Sequence, residues 1–335
     1  MKIVIDAFGG DNAPRAVIEG ITLALAKWDD MEFIITGRET ELKKELELSG
    51  IADSGKITIV NADSVITCDE QPTAAVKQKR DSSLVKALNI IAEGNADCFI
   101  SAGSTGAVLT GATLIVRRIP GVKRPALAPV IPTAGSPFIL IDCGANADCK
   151  PEYLQQFAVM GSAYMQGVMG VEHPRVGLVN IGSEEAKGNE LVKAAHALLK
   201  ETNVNFKGNC EGRDIFSGEF DVVVTDGFTG NIILKEAEGF SQTLFKIMKR
   251  ELTSSFIRKI GAALAKPGFR SVKRIMDYKE YGGAPLLGIN GGIIKAHGSS
   301  DAKAFLSAIR QARKYVLGNV TEKIASGVAQ ISSEY

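Results

Sequence analysis

Cysteine, histidine and aromatic side chains are scarce in this 335-residue chain: it has five Cys, three His, one Trp and 6% aromatic residues in all. Cys68, Cys98, Cys143, Cys149 and Cys210 are odd in number and form no C-x-x-C pair. That argues against a disulfide framework and a structural zinc site, and it implies a reducing compartment. The histidines are scattered, so no cluster has metal-ligand spacing, and neither metal nor cofactor is expected. Excess charge is missing too: 39 Lys plus Arg stand against 38 Asp plus Glu, a net +1. No chain-wide field gathers nucleic acid, and no nucleic-acid partner is expected. Long apolar runs are also absent. The richest, Ala107 to Val116, is broken by Thr and Gly and ended by Arg117-Arg118, so no membrane span is expected. The opening Met1-Lys2-Ile3-Val4-Ile5-Asp6 reaches a carboxylate too soon for a signal-peptide core, and a cytoplasmic location follows as an expectation.

Familiar motifs fail as well. Gly50-x-x-x-x-Gly55-Lys56 imitates a P-loop, but Ile57 follows and the local order is helix, loop, strand, the reverse of what that mechanism requires. No Gly-x-Gly-x-x-Gly occurs, so the Rossmann dinucleotide fingerprint is missing. No Gly-x-Ser-x-Gly elbow marks an α/β-hydrolase.

What is present is globular: 45% hydrophobic and 23% charged residues, close to the average. The length fits either two domains or one large α/β unit. Short β-branched runs alternate with helical patterns, the signature of a mostly parallel, doubly wound sheet in a three-layer α/β/α arrangement. The runs predict strands at Lys2–Ala7, Glu32–Thr36, Lys56–Asn61, Cys98–Ala102, Phe138–Asp142, Arg175–Asn180, Val204–Gly208, Asp221–Thr225 and Gly292–Ala296. Apolar residues at three- and four-residue spacing predict helices over Ala13–Lys27, Glu39–Leu48, Ser82–Glu93, Thr105–Arg117, Pro151–Gly170, Asn189–Glu201, Asn231–Leu252 and Asp301–Ala329. We read residues 1–335 as one α/β unit with two excursions. The first spans 119–137, where five prolines forbid helix. The second is basic and helical, over 246–283.

Glycine is over-represented, 35 residues or about 10% against the usual ~7%, and its placement is informative. Four strand candidates end in small-residue loops that open a helix: Ser101-Ala102-Gly103-Ser104-Thr105-Gly106, Asp142-Cys143-Gly144-Ala145-Asn146, Asn180-Ile181-Gly182-Ser183-Glu184 and Thr225-Asp226-Gly227-Phe228-Thr229-Gly230-Asn231. In a parallel sheet such loops share the carboxyl edge, where open α/β folds bind ligands and helix starts offer free N–H groups to anions. Phe8-Gly9-Gly10-Asp11-Asn12-Ala13-Pro14 belongs to the same rim, with Asp11 or Asn12 expected as N-cap and Pro14 inside the first turn. Cations near the rim are few: Lys187 before a helix, Lys235 one turn after Asn231, and Lys295 with His297 ending the last strand. His173 and His196 read as structural, whereas a ligand can reach His297. Cys143 and Cys149 read as small buried hydrophobes.

Residues 246–279 hold ten Lys or Arg against Glu251 and Asp277, a local charge of +8 that leaves the rest of the chain at about −7. Phe256, Ile257, Ile260 and Leu264 interleave with Arg258, Lys259, Lys266, Arg270, Lys273 and Arg274. The stretch fits a membrane-surface element or a dock for an acidic partner. It fits equally a helix packed on its own domain or on a second subunit.

Taken in order, Asp6-Ala7-Phe8-Gly9-Gly10-Asp11, Ser101 to Ala107, Arg124-Pro125-Ala126-Leu127, Asp142 to Asn146, Lys187-Gly188-Asn189-Glu190, Asp226 to Asn231 and Lys295-Ala296-His297-Gly298-Ser299-Ser300-Asp301 resemble the bacterial phosphate acyltransferases, the PlsX family. The resemblance runs nearly end to end. Phe8, Ser104 and Cys143 depart from the family's usual Met, Asn and aliphatic residue without removing a charge.

The resemblance implies an enzyme of phospholipid synthesis that moves a fatty acyl group from acyl carrier protein to inorganic phosphate, giving acyl phosphate and free carrier thiol. It implies a homodimer with a fold like phosphotransacetylases and isopropylmalate-type dehydrogenases. It also implies peripheral attachment to an anionic membrane surface, where a membrane glycerol-3-phosphate acyltransferase uses the product.

Since phosphate is the nucleophile, no activated Ser or Cys is required and the task is to hold a dianion in line with a thioester. The expected catalytic residues are Lys187, His297, Asn189 and Asp226. The expected phosphate or acyl phosphate ligands are Gly10, Asp11, Gly103, Ser104, Thr105, Asn146, Gly227, Thr229, Gly230 and Asn231. The alternatives are a phosphotransacetylase-like enzyme using acyl-CoA, and a non-catalytic membrane-surface scaffold that leaves the glycine loops unexplained. A dehydrogenase would need clustered Asp metal ligands, and Asp142 and Asp226 stand apart.

Overall fold

The structure, a computed structural model, describes residues 1–275 and 281–333. Apolar runs too short for helices make the central strands: β1 (Lys2–Asp6), β2 (Glu32–Gly37), β3 (Ile57–Asn61) and β4 (Cys98–Ser101). Helices α1 (Arg15–Leu25), α2 (Glu39–Leu48), α3 (Pro72–Gln78) and α4 (Ser83–Ala92) connect them. Ile3, Val4 and Ile5 are wholly buried, as a strand covered on both faces requires. Ile3 and Ile5 pack with α1, while Val4 packs on the opposite face with α4.

α5 (Thr105–Gly111) continues as a π-helix over Ala112–Val116. The proline-rich excursion then carries two short extended segments, β5 (Ala126–Leu127) and β6 (Val130–Ile131), and leads into β7 (Phe138–Ile141). There follow α6 (Pro151–Tyr164), β8 (Arg175–Asn180), α7 (Glu190–Lys200), β9 (Asn205–Glu211), β10 (Val222–Val224), α8 (Gly227–Leu252) and α9 (Phe256–Ile275). β11 (Ala284–Leu287), β12 (Gly292–Lys295), α10 (Ala302–Leu317) and α11 (Val320–Ser333) complete the chain.

The α/β reading holds, and the strands divide between two sheets. One runs β3-β2-β1-β4-β12-β11-β5, the other β6-β7-β10-β8-β9. Pairing is parallel except at β11 with its two neighbours and at β6 with β7. Ile139 and Ile141 face α6, whereas Phe138 and Leu140 face Leu234 of α8. The short strands β5, β6 and β11 were not predicted; prolines interrupt or flank each of them, at Pro125, Pro129, Pro132 and Pro285. The predicted helix Asp301–Ala329 is two helices, since the chain turns at Gly318 and Asn319, the latter with φ 49°. At α1 neither Asp11 nor Asn12 is the cap. Pro14 holds that position with no side-chain hydrogen bond.

Candidate functional site

Six segments converge on one cavity of about 340 Å³, one of them Gly283-Ala284 at the start of β11. Thr105 opens α5, Gly144 follows β7, and Asn231, Leu234, Lys235 and Glu238 form one face of α8. The end of β12 supplies Lys295 and Ala296, with His297 after it, and the β5–β6 link supplies Leu127, Pro129, Val130 and Ile131. A narrow apolar recess lined by Val108, Leu109 and Leu286 adjoins the cavity, sharing Thr105, Leu127, Gly144 and Lys295 with it.

Two buried carboxylates hold the loops in place. Ser101 Oγ donates to Asp6 Oδ2 at 2.7 Å and accepts from the Gly103 amide at 3.0 Å, which fixes the turn before α5. Asp142 accepts from the amides of Leu127 (2.9 Å), Ala145 (3.2 Å) and Asn146 (2.7 Å) and from Asn146 Nδ2 (2.9 Å). Burial raises both acids, opposed by those hydrogen bonds. The loop after β1 meets the loop after β12 where the Asp11 amide donates to the Gly298 carbonyl at 2.8 Å. Gly10 makes this approach possible: its φ is +101°, and a Cβ there would stand 2.9 Å from the Gly298 oxygen.

Lys295 is the cation at the floor of the cavity. It is only 8% exposed, its Nζ donates to the Ala296 carbonyl, and among the described residues no carboxylate lies within ion-pair distance of it. Burial pushes its ammonium down to about 8, against the fields of Cys68, Asp6 and Asp11. A buried cation without a partner is costly, and a bound anion removes that cost. At the exposed His297, Nδ1 accepts the Ser299 amide at 3.2 Å, so the neutral ring carries its proton on Nε2. Lys235 pairs with Glu238 at 2.8 Å. Cys143 lines the cavity with a thiol that burial lifts well above its usual range, and burial takes Cys149 up to about 11. Among the described residues no group of three or more His, Cys, Asp or Glu could hold a metal ion.

Of the residues singled out from sequence, Thr105, Asn231 and His297 meet in this cavity. Gly103 and Ser104 shape the turn beside it, Ser104 accepting from the Ala107 amide at 3.5 Å. Asn146 spends its amide nitrogen on Asp142 and on the Pro125 carbonyl at 2.8 Å. At the start of α8 the Gly227 amide is taken by the Asn146 carbonyl (2.8 Å) and the Gly230 amide by the Asp226 carbonyl (2.9 Å). Asp226 caps the helix, accepting from both the amide and the hydroxyl of Thr229 at 2.8 Å. Lys187 and Asn189 do not line the cavity: Lys187 is exposed on the loop after β8, and Asn189 caps α7 through the Val192 amide at 2.9 Å. The residue given no role from sequence is Lys295. Its signal was a lysine closing the apolar strand Gly292-Ile293-Ile294.

The basic excursion is the end of α8 followed by α9, which packs on α8. Phe256 (78%), Ile257 (81%) and Leu264 (81%) are exposed beside Arg258, Lys259, Lys266 and Arg270, and Ile260 is half-exposed. Lys273 and Arg274 fall in the last turn of α9, while Met276, Asp277 and Lys279 lie outside the described residues. Among the described residues no helix is long and apolar enough to cross a membrane.

Comparison with known proteins decides the family. Residues 1–323 match the family model described as "Fatty acid synthesis protein". A phosphate acyltransferase from Clostridium perfringens is 52% identical over 329 residues, 97% of this chain and 97% of that protein. The chain belongs to the phosphate acyltransferase family. It is an acyltransferase, as the motifs implied. Within the family, phosphate acyltransferases of Clostridium novyi (51% identity; 98% of this chain, 99% of that protein) and Clostridium botulinum (50%; 99% and 98%) are similar over comparable lengths. Among solved structures, a phosphotransacetylase from Staphylococcus aureus superposes with a TM-score of 0.62, covering 95% of this chain and 94% of that chain at 17% identity. One from Streptococcus pyogenes gives 0.61, covering 96% and 94% at 19% identity. At these identities the likeness is one of fold.

Proposed function

We propose that the chain transfers a fatty acyl group from acyl carrier protein to inorganic phosphate, releasing the carrier thiol and supplying acyl phosphate to phospholipid synthesis. The observation that carries this reading is the cavity that joins the buried Lys295, with no carboxylate at ion-pair distance among the described residues, to a wall of Leu127, Pro129, Val130, Ile131 and Leu234. An anion satisfies the lysine, and an acyl chain satisfies the wall. The amides of Thr105 and Gly106 have no intrahelical partners at the start of α5, and Thr105 and Asn231 line the same space. These groups would hold phosphate in line with the thioester carbonyl and stabilise its oxyanion. Because phosphate attacks, the high-pKa thiol of Cys143 is no obstacle.

The outward stripe Phe228, Ile232, Phe240, Leu244 and Ile247 on α8 supports a homodimer in this reading. The apolar and cationic faces of α9 support contact with an anionic membrane or the acidic carrier, next to a membrane glycerol-3-phosphate acyltransferase that consumes the product. The deciding assay is thiol release from acyl carrier protein with and without phosphate, beside acyl-CoA. Phosphate-dependent release from the carrier at far higher kcat/KM than from acyl-CoA is expected. Equal or better use of acyl-CoA would favour the phosphotransacetylase-like reading.

A further inference from the structure

Resting on the phosphate-acylation reading, we propose that Lys295 is a catalytic residue that carries the reaction's proton, giving it to the departing sulfur and recovering one from the acylated phosphate. When an oxygen of hydrogen phosphate attacks the thioester carbon, a C–O bond forms and the C–S bond breaks with its electron pair going to sulfur. The ammonium then protonates the thiolate. The newly formed acyl phosphate is a stronger acid than hydrogen phosphate and returns its proton to the amine. Lysine ends as it began, and the net change is one proton moved from phosphate to thiol.

The geometry favours Lys295 over its neighbours. It is nearly buried at the junction of the cavity and the apolar recess, so it touches both the polar and the apolar end of any ligand spanning them. In the sheet it pairs with Ser101 on β4, whose own partner across β1 is Asp6. Among the described residues the titratable groups around it are Asp6 on β1, Asp11 after β1 and Cys68 before α3, with His297, Lys235 and Glu238 lining the same cavity. Asp6 is engaged by Ser101 and Phe8, and Asp11, Cys68 and His297 are exposed where Lys295 is buried. Cys143 is too weak an acid to shuttle protons. An amine held near 8 by burial matches a thiol of about 8.5, so transfer in either direction is nearly balanced.

The test separates charge from proton. Lys295→Arg keeps a cation that does not titrate, whereas Lys295→Met removes both. Each variant is assayed for kcat with an alkyl thioester, whose thiolate needs a proton to leave, and with an aryl thioester, whose thiolate does not. Phosphate binding is measured by calorimetry. Lys295→Arg should bind phosphate nearly as wild type, lose ~10²–10⁴-fold in kcat on the alkyl thioester, and lose less than about tenfold on the aryl one. Lys295→Met should lose phosphate binding itself. Equal loss on both thioesters, or no loss on either, would overturn the proton role. If Lys295→Arg does not fold, the wild-type profile at saturating phosphate serves instead. An alkaline fall in kcat, displaced above 8 by the bound anion, should appear with the alkyl thioester and vanish with the aryl one, and identical profiles would sink the proposal. A wild-type protein that forms no acyl phosphate from any thioester would refute the underlying function, a separate failure.

Discussion

Gly230 lies so close to Asp142 that a Cβ on the glycine would stand 1.9 Å from the Asp142 carbonyl oxygen. The first turn of α8 therefore rests on the backbone just after β7. The Asp142 side chain simultaneously gathers the amides of Leu127, Ala145 and Asn146. One pivot thus sets three walls of the cavity that Asn231 and Lys295 both line.

Gly230→Ala should push α8 off this pivot, costing about 1–3 kcal/mol as overpacking does and lowering activity by displacing Asn231. Gly239→Ala is the control on the same helix, where an added Cβ meets nothing within 4 Å. It should stabilise the fold by about 0.5–1 kcal/mol through helix propensity. Denaturant midpoints for the two variants moving in the same direction would contradict the packing argument.

Asp142→Ala leaves three amides and the Asn146 side chain without their acceptor. The expected loss is roughly 3 kcal/mol, since each orphaned group costs about 1–3 kcal/mol and water recovers part of it. Urea denaturation measures the loss, and a change below about 0.5 kcal/mol would show that the loop holds itself.

Lys295 links activity to stability through pH. Its pKa falls on folding from 10.5 to about 8, so between those values the unfolded chain holds more protons and stability rises with pH. Below that window the buried ammonium costs the fold up to about 3 kcal/mol. Lys295→Met should therefore melt higher than wild type at neutral pH, with the gap closing toward about pH 10. Added phosphate should raise the wild-type midpoint and leave that of Lys295→Met unchanged. Calorimetric scans at both pH values read all of these outcomes.

On α9, replacing Phe256, Ile257 and Leu264 by Ser should abolish sedimentation with anionic vesicles while leaving acyl phosphate formation in solution intact. Each Lys or Arg removed nearby should weaken vesicle binding by about 1 kcal/mol, roughly fivefold, and added salt should mimic the loss. Undiminished sedimentation of the triple variant would reassign this helix to another partner.

Lys187→Ala and Asn189→Ser should keep acyl phosphate formation within a few-fold of wild type, since one side chain is exposed and outside the cavity and a Ser replaces the other as helix cap. A loss of 10²-fold or more in kcat from either would return that loop to the reaction.

Local chemistry made much of this protein legible from its residues alone. Apolar runs such as Ile3-Val4-Ile5 and Val222-Val223-Val224 keep all their side chains from water as strands covered on both faces. Small-residue loops after them mark the rim, and the ordered motifs from Asp6 to Asp301 were enough to place the family. Packing decides which rim residues line the cavity. Asp226 and Asn189, expected from sequence to be catalytic, are seen to cap helices, because a side chain one step before a helix reaches the helix's own amides. In the sequence Lys295 is one of the few rim cations, with nothing to set it above Lys187 or Lys235. Only the meeting of β12 with α5, the loop after β7 and α8 removes it from water, with no counter-charge beside it among the described residues, and burial depends on residues distant along the chain that no local pattern records.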